Sequence, residues 1–259
     1  MARSAHYSKK DLLIELIRTN FKIKNNGSIL GFIWVFLQPF FHFVILYFVF
    51  KFFRGSNPDE NLAPKIMYAL ITFNFFRDGV IGGSSALLKY SSIITKVYFK
   101  RINIIHANLL INIIDFLLNI ILITTIFSVF GKINLNLISS FYYLYIIILA
   151  VGFVYSLSLV LSIILIIVRD LRNMLKLIFQ SLFWLSGIFY DLDSVRYSFR
   201  VLIYLNPISY VIDSVKKIVI SGEVANLNLI LILSLIVALS IPIAQYFFKR
   251  NIDKVIEYL

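Results

Sequence analysis

The side chains able to do chemistry are few and scattered. Histidine occurs only at His6, His42 and His106, in separate segments, and no H-E-x-x-H arrangement is present. His42 is flanked by Phe41 and Phe43, which suits a histidine satisfied at a helix contact better than a metal ligand. The absence of cysteine removes disulfides, thiolate nucleophiles and thiolate metal sites. No G-x-x-x-x-G-K-S/T loop exists, so the chain lacks that route to binding and hydrolysing ATP. Asp191 and Asp193 form a D-x-D, the pattern that holds a metal-bound sugar nucleotide in glycosyltransferases. There the pair must face the cytoplasm, and the charge pattern described below puts this one outside. Two polar constellations remain. Asn74, Arg77 and Asp78 interrupt one apolar stretch, and Asn108, Asn112, Asp115 and Asn119 recur in another at intervals of 4, 3 and 4 residues. Those intervals place all four on one helical face. Such a stripe needs protein partners or water, as a buried helix interface or as a hydrated conduit. Arg77 and Asp78 are sequence neighbours on different faces, so their partners are expected on other helices.

The elements that carry these groups are apolar. The chain has 259 residues, 60% of them hydrophobic, with a mean hydropathy of +0.88, too apolar for a soluble globule. Six stretches approach the roughly 20 helical residues needed to cross a bilayer: residues 31–53, 65–88, 102–130, 141–168, 173–190 and 227–248. Without water to satisfy an exposed backbone, each is expected to be a helix. The fold class is therefore an all-α integral membrane protein with six transmembrane helices.

The formal charge of +12 could suggest nucleic acid, but the basic residues are distributed topologically. With the N-terminus inside, 16 of the 25 fall on cytoplasmic segments, eight outside, and Arg77 alone well within a span. That bias predicts both termini in the cytoplasm and no nucleic-acid partner. The first apolar span follows about thirty mixed-charge residues without a cleavage site after it, unlike a signal peptide.

Two segments are neither spans nor plain loops. In residues 1–30, Leu12, Leu13, Leu16, Ile17 and Phe21 recur at helical spacing with Lys9, Lys10, Glu15, Arg18 and Lys22 opposite. Ser8 and Asp11 resemble a capping box. This reads as an amphipathic interface helix able to dock a soluble partner, or as a plain membrane anchor or a packed helix. Before the last span, residues 193–221 hold two short apolar-periodic runs. Val195, Phe199, Leu202 and Ile203 form the first; Asn206 as N-cap and Pro207 at the first position open the second. Too short to span, they are expected to dip into the outer leaflet or lie on it, either as a re-entrant extracytoplasmic helical hairpin that acts as a gate or as a plain outer-surface amphipathic hairpin. Asp213, Lys216 and Lys217 are assigned to the polar side of the second run.

In order, these elements carry a resemblance. Ser28 to Pro39 resembles the S-x-LG-x-x-W…P lead-in to the first span of type-2 ABC transporter permeases of the polysaccharide export family, which move O-antigen, capsule and teichoic acid. Asn74-Phe75-Phe76 is similar to their aromatic patch in the second span, and Lys96 to Arg101 to their KV-x-FPR element. Arg169-Asp170-Leu171-Arg172 resembles the RD-hydrophobic-basic turn after the fourth span. Phe183 to Tyr190, followed by Asn206-Pro207, resembles FW-x-S/T-P-I-x-Y/W…NP. Lys100 and Gly187 stand where that family usually has proline.

The resemblance implies the permease subunit of an ATP-driven exporter of lipid-linked polysaccharide. It implies residues 31–259 as the transmembrane domain, a homodimer enclosing a channel, and two copies of a cytoplasmic ATPase. ATP and Mg would bind that ATPase, so this chain is expected to hold no cofactor or metal and to be no enzyme. The substrate would be an undecaprenyl-linked glycan, crossing the bacterial cytoplasmic membrane. Leu13, Ile17 and Arg18, with Lys96, Tyr98, Lys100 and Arg101, would couple to the ATPase. Trp34, Phe75, Phe76, Asn112, Asp115, Tyr142 and Tyr143 are the candidate channel lining, and Asn206, Pro207 and Asp213 the gate. The alternative is a permease of the same fold exporting a drug or another lipid. A membrane enzyme acting on polyprenyl-linked sugars would need inward-facing acidic or histidine clusters, which are missing.

Overall fold

The computed structural model describes residues 33–54, 59–94, 99–196, 203, 206–223 and 226–255, and the described residues are all-helical, without a strand. The amphipathic segment from Ser8 to Lys24 and most of the first expected outer helix lie outside them.

The described residues form eight α-helices: α1 (Trp34–Arg54), α2 (Leu62–Lys89), α3 (Ser91–Ile94), α4 (Ile102–Val129), α5 (Leu137–Ile167), α6 (Leu171–Leu185), α7 (Pro207–Ser221) and α8 (Leu227–Val255). Four of them are long and apolar enough to cross a membrane, covering Trp34–Phe53, Ile102–Val129, Leu137–Ile167 and Leu227–Val255. Their outer faces carry large apolar side chains that a bilayer would cover, among them Phe52, Ile121, Ile148 and Leu235. The chain is thus a multi-pass membrane protein. Helix α2 has 28 residues, about 42 Å at about 1.5 Å each, long enough to cross, but it carries Lys65, Arg77, Asp78 and Lys89.

Helix α2 is the hub, packing on α1, α4, α5, α6 and α7, while α8 packs on α5. Glycines make this possible. A Cβ built on Gly83 would lie 2.6 Å from Ser158 Cβ, and one on Gly79 would lie 2.6 Å from Val154 on the same helix. Ser158 Oγ donates to the Gly79 carbonyl at 3.2 Å across that seam. One apolar cluster joins α2, α4, α5, α7 and α8 around Tyr68, Phe76, Ile146 and Ile212. A second surrounds Leu87, Ile104, Leu159 and Phe248.

Three local features differ from expectation. The fifth apolar stretch forms a 15-residue helix, α6, which stops at Leu185 rather than Tyr190. At about 1.5 Å per residue it reaches about 22 Å, short of a hydrocarbon core of about 30 Å. The chain turns at Gly187, whose φ of 69° suits glycine best. Helix α7 does have the expected Asn206 cap, with Oδ1 accepting from the Ile208 amide at 3.1 Å, and it ends at Gly222 in the left-handed region. It does not lie on a surface, however: it is buried on nearly every side against α2 and α5. Its expected polar side is buried too, with Asp213 4% and Lys216 3% exposed. The reason is local, because each charge has a partner inside the fold. Finally, among the described residues Arg77 and Asp78 form their ion pair with each other rather than with a charge on another helix. Nε donates to Oδ1 at 2.8 Å and Nη2 to Oδ2 at 3.2 Å. The long arginine stem folds back across the angle that separates adjacent positions on a helix.

Candidate functional site: a polar groove and a buried charge network

The polar stripe of α4 faces α2 and the start of α1. Asn112 donates its amide to the Phe75 carbonyl at 2.9 Å. Asn108 sits over Gly82, where a Cβ would meet its Oδ1 at 2.9 Å. Asn119 donates to the Asp115 carbonyl at 2.8 Å and to the Val35 carbonyl at 3.4 Å. Part of the stripe therefore works as a helix interface. The rest borders a groove of about 510 Å³ lined by Trp34, Gln38, Pro39, Asn74, Phe75, Arg77, Asp78, Asn112, Asp115, Phe116 and Asn119, with Val35 and Ile71. The groove combines amides, two carboxylates and one guanidinium with three aromatic rings. Asn74 Oδ1 is buried with no hydrogen-bond partner among the described residues.

Four of the seven candidate lining residues, Trp34, Phe75, Asn112 and Asp115, meet at this groove. The other three sit elsewhere. Phe76 is buried in the core, edge-on to Phe75 and Phe153. Tyr142 and Tyr143 pack against that same core, and the Tyr143 hydroxyl is buried without a hydrogen-bond partner among the described residues. Gln38, Asn74, Arg77, Asp78 and Asn119 join the groove without having been assigned to it. The α4 stripe was the available signal, since any residue packed against it inherits its polar neighbours.

A second constellation was not foreseen. Lys216 Nζ donates to the carbonyls of Gly187 at 2.8 Å and Tyr190 at 2.9 Å, and lies 3.5 Å from Asp191 Oδ1. Lys65 bridges Asp191 at 2.8 Å and Asp59 at 2.9 Å. Lys217 bridges Asp193 at 2.7 Å and Asp213 at 2.9 Å. Both carboxylates of the D-x-D are therefore held by ammonium groups, and no group of three or more potential metal ligands occurs among the described residues. Burial alone would raise the Asp191 carboxyl. The hydrogen bond from Lys65 and the charges of Lys216 and Lys65 outweigh it and hold the group below the ordinary carboxylate range. Asp59 is lowered in the same way, burial being outweighed by Lys65 and the Asn61 amide.

The candidate gate residues belong to this region. Asn206 caps α7 while its Nδ2 donates to Ser186 Oγ at 3.1 Å, so the cap is tied to the end of α6. Pro207 occupies the first turn, and Asp213 pairs with Lys217 one turn on. Of the candidate coupling residues, Leu13, Ile17, Arg18, Lys96 and Tyr98 lie outside the described residues. Lys100 is exposed, and Arg101 Nη1 lies 3.4 Å from Asp253 Oδ1 near the end of α8. His42 stacks on Phe183, with ring centroids 5.5 Å apart. His106 Nε2 shares a 3.1 Å hydrogen bond with the Tyr155 hydroxyl, and neither histidine is among the residues that line the groove.

Against known proteins, the model of the family described as ABC-2 type transporter matches residues 12–220. The O-antigen export system permease protein RfbA of Myxococcus xanthus is 24% identical over 214 residues, covering 82% of this chain and 81% of that protein. Two proteins of the same name from Klebsiella pneumoniae are 26% and 25% identical over 217 residues, with the same coverage.

Proposed function

The chain belongs to the ABC-2 type transporter family, and from that premise we propose that it is the membrane subunit of an ATP-driven exporter moving a lipid-linked polysaccharide across the bacterial cytoplasmic membrane. The observation that carries this reading is the groove between α1, α2 and α4, polar and aromatic at once, inside an otherwise apolar bundle. Sugar chains present hydroxyls to hydrogen-bond and C–H faces to stack on rings. A drug or lipid cargo would instead favour a largely apolar pocket with few polar groups. The relatives named as O-antigen export permeases support the same cargo class.

In this reading two copies of the chain enclose the path, each engaging a cytoplasmic ATPase that holds ATP and Mg. The carrier lipid is of the undecaprenyl type. Leu13, Ile17, Arg18, Lys96, Tyr98, Lys100 and Arg101 transmit the ATPase motion. Both termini face the cytoplasm, six helical elements including α2 and α6 cross or enter the bilayer, and the segment from 193 to 221, with Asn206, Pro207 and Asp213, gates the exit. Deleting the gene should abolish surface polysaccharide and leave lipid-linked polymer inside the cell, with both restored by a plasmid copy. Normal surface polysaccharide in the deletion strain would defeat the proposal.

A further inference from the structure

We propose that α7 is a stationary wall of the outer exit: it is fixed along its length to its own subunit and changes place only when that subunit moves as a body. The inference rests on the export reading, in which residues 193–221 gate the exit, and names the part of that gate that does not swing. A helix that works as a flap needs a free face and a loose end, since elements that move are drawn from regions with few buried contacts. Helix α7 has neither. Of its 15 residues all but Pro207, Lys217 and Ser221 are buried. Ser209 and Ile218 are both 0% exposed. They stand two and a half turns apart at about 3.6 residues per turn, so opposite sides of the helix are covered. Helices α2 and α5 supply that cover.

Both ends are held as well. At the start, Asn206 Nδ2 donates to Ser186 Oγ at 3.1 Å and Ser209 Oγ to the Leu185 carbonyl at 3.3 Å. At the finish, the last carbonyls of a helix lack intrahelical donors. Asn134, just before α5, supplies two: its backbone amide donates to the Val219 carbonyl and its Nδ2 to the Ile220 carbonyl, each at 3.1 Å. Gly222 then passes so close that a Cβ on it would lie 2.6 Å from the Asn134 carbonyl oxygen. In between, Lys216 reaches the turn after α6 and Lys217 reaches Asp193. Swinging α7 away would strand those carbonyls and the buried ammonium, and neither end of the helix is free to act as a hinge. With two copies enclosing the path, the exit widens as the subunits part.

Hydrogen–deuterium exchange of the full-length chain, assembled with its ATPase in nanodiscs, measures this directly. Amides of α7 should exchange equally slowly without nucleotide and during ATP turnover, within about twofold. Faster exchange than that during turnover would overturn the proposal. Asn134→Ala should speed exchange in the last turn of α7 at least about fivefold, the effect of losing a hydrogen bond; no change there would remove Asn134 as the fastening. A covalent lock gives a second test. The chain has no cysteine, so Asp193→Cys with Lys217→Cys creates a unique thiol pair where the native side chains meet at 2.7 Å. In the complemented deletion strain, bridging the pair with a short reducible bis-methanethiosulfonate should leave new surface polysaccharide within about twofold of that in reduced cells. A larger loss that dithiothreitol reverses would overturn the stationary wall. Failure of the wild-type plasmid to restore polysaccharide would strike the export reading instead.

Discussion

Replacing Lys216 with alanine should destabilise the protein more than any surface charge change. Its ammonium is 3% exposed and donates to two backbone carbonyls, at 2.8 and 2.9 Å, besides facing Asp191. Removing it strands both acceptors at the turn between α6 and α7. A buried group left unsatisfied costs about 1–3 kcal/mol, and breaking a buried charge contact by removing one partner costs about 3–5 kcal/mol. Lys65 remains on Asp191, which keeps that carboxylate compensated, so a loss of about 2–5 kcal/mol is expected. At about 2–4 °C per kcal/mol for a chain of this size, that is a fall of about 4–20 °C in Tm. The assay is heating of detergent-purified protein, followed by size-exclusion recovery of the folded peak. Lys216→Met keeps the apolar stem but not the donors and should retain most of the loss. Lys132→Ala is the control. Its partner Glu60 is 84% exposed and the pair lies at 3.1 Å, so a loss of about 0–1 kcal/mol is expected. A Lys216→Ala protein no less stable than Lys132→Ala would refute the claim that this ammonium holds the turn.

Gly83→Val should push α2 off α5, because even its Cβ would lie 2.6 Å from Ser158 Cβ. Overpacking costs about 1–3 kcal/mol, and Ser158→Gly should recover part of the lost thermal stability if the clash is the cause. Asp191 and Asp59 are held below the ordinary carboxylate range. Their stabilisation is complete above the unfolded carboxyl value and fades as pH falls through the lowered one. The Tm of the purified protein should therefore drop below about pH 4, and Asp191→Asn should flatten that fall. In the reconstituted complex, replacing Lys96, Lys100 and Arg101 with alanine should reduce coupling to the ATPase without impairing insertion. Unchanged export by that triple variant would remove these residues from the coupling role.

Sequence alone determined the class of this protein, since long apolar stretches in a solvent without hydrogen-bonding partners have few alternatives to helix. It also determined the α4 stripe, because helical period is a local property. The Asn206-Pro207 start and the Gly222 stop of α7 were set locally too, by a capping oxygen, a fixed φ and a residue free to adopt a left-handed turn. Tertiary structure decided what long-range packing decides. That α2 is the hub, that its Asn74, Arg77 and Asp78 line one groove with Asp115, and that Arg77 folds onto its own neighbour, depend on which helices meet. The Lys65–Asp191–Lys216 network joins residues up to 151 positions apart, and each lysine alone reads as an ordinary surface charge. Burial of Lys216 is tolerable only because two carbonyls and a carboxylate converge on it, and convergence across distant segments is a property of the assembled fold.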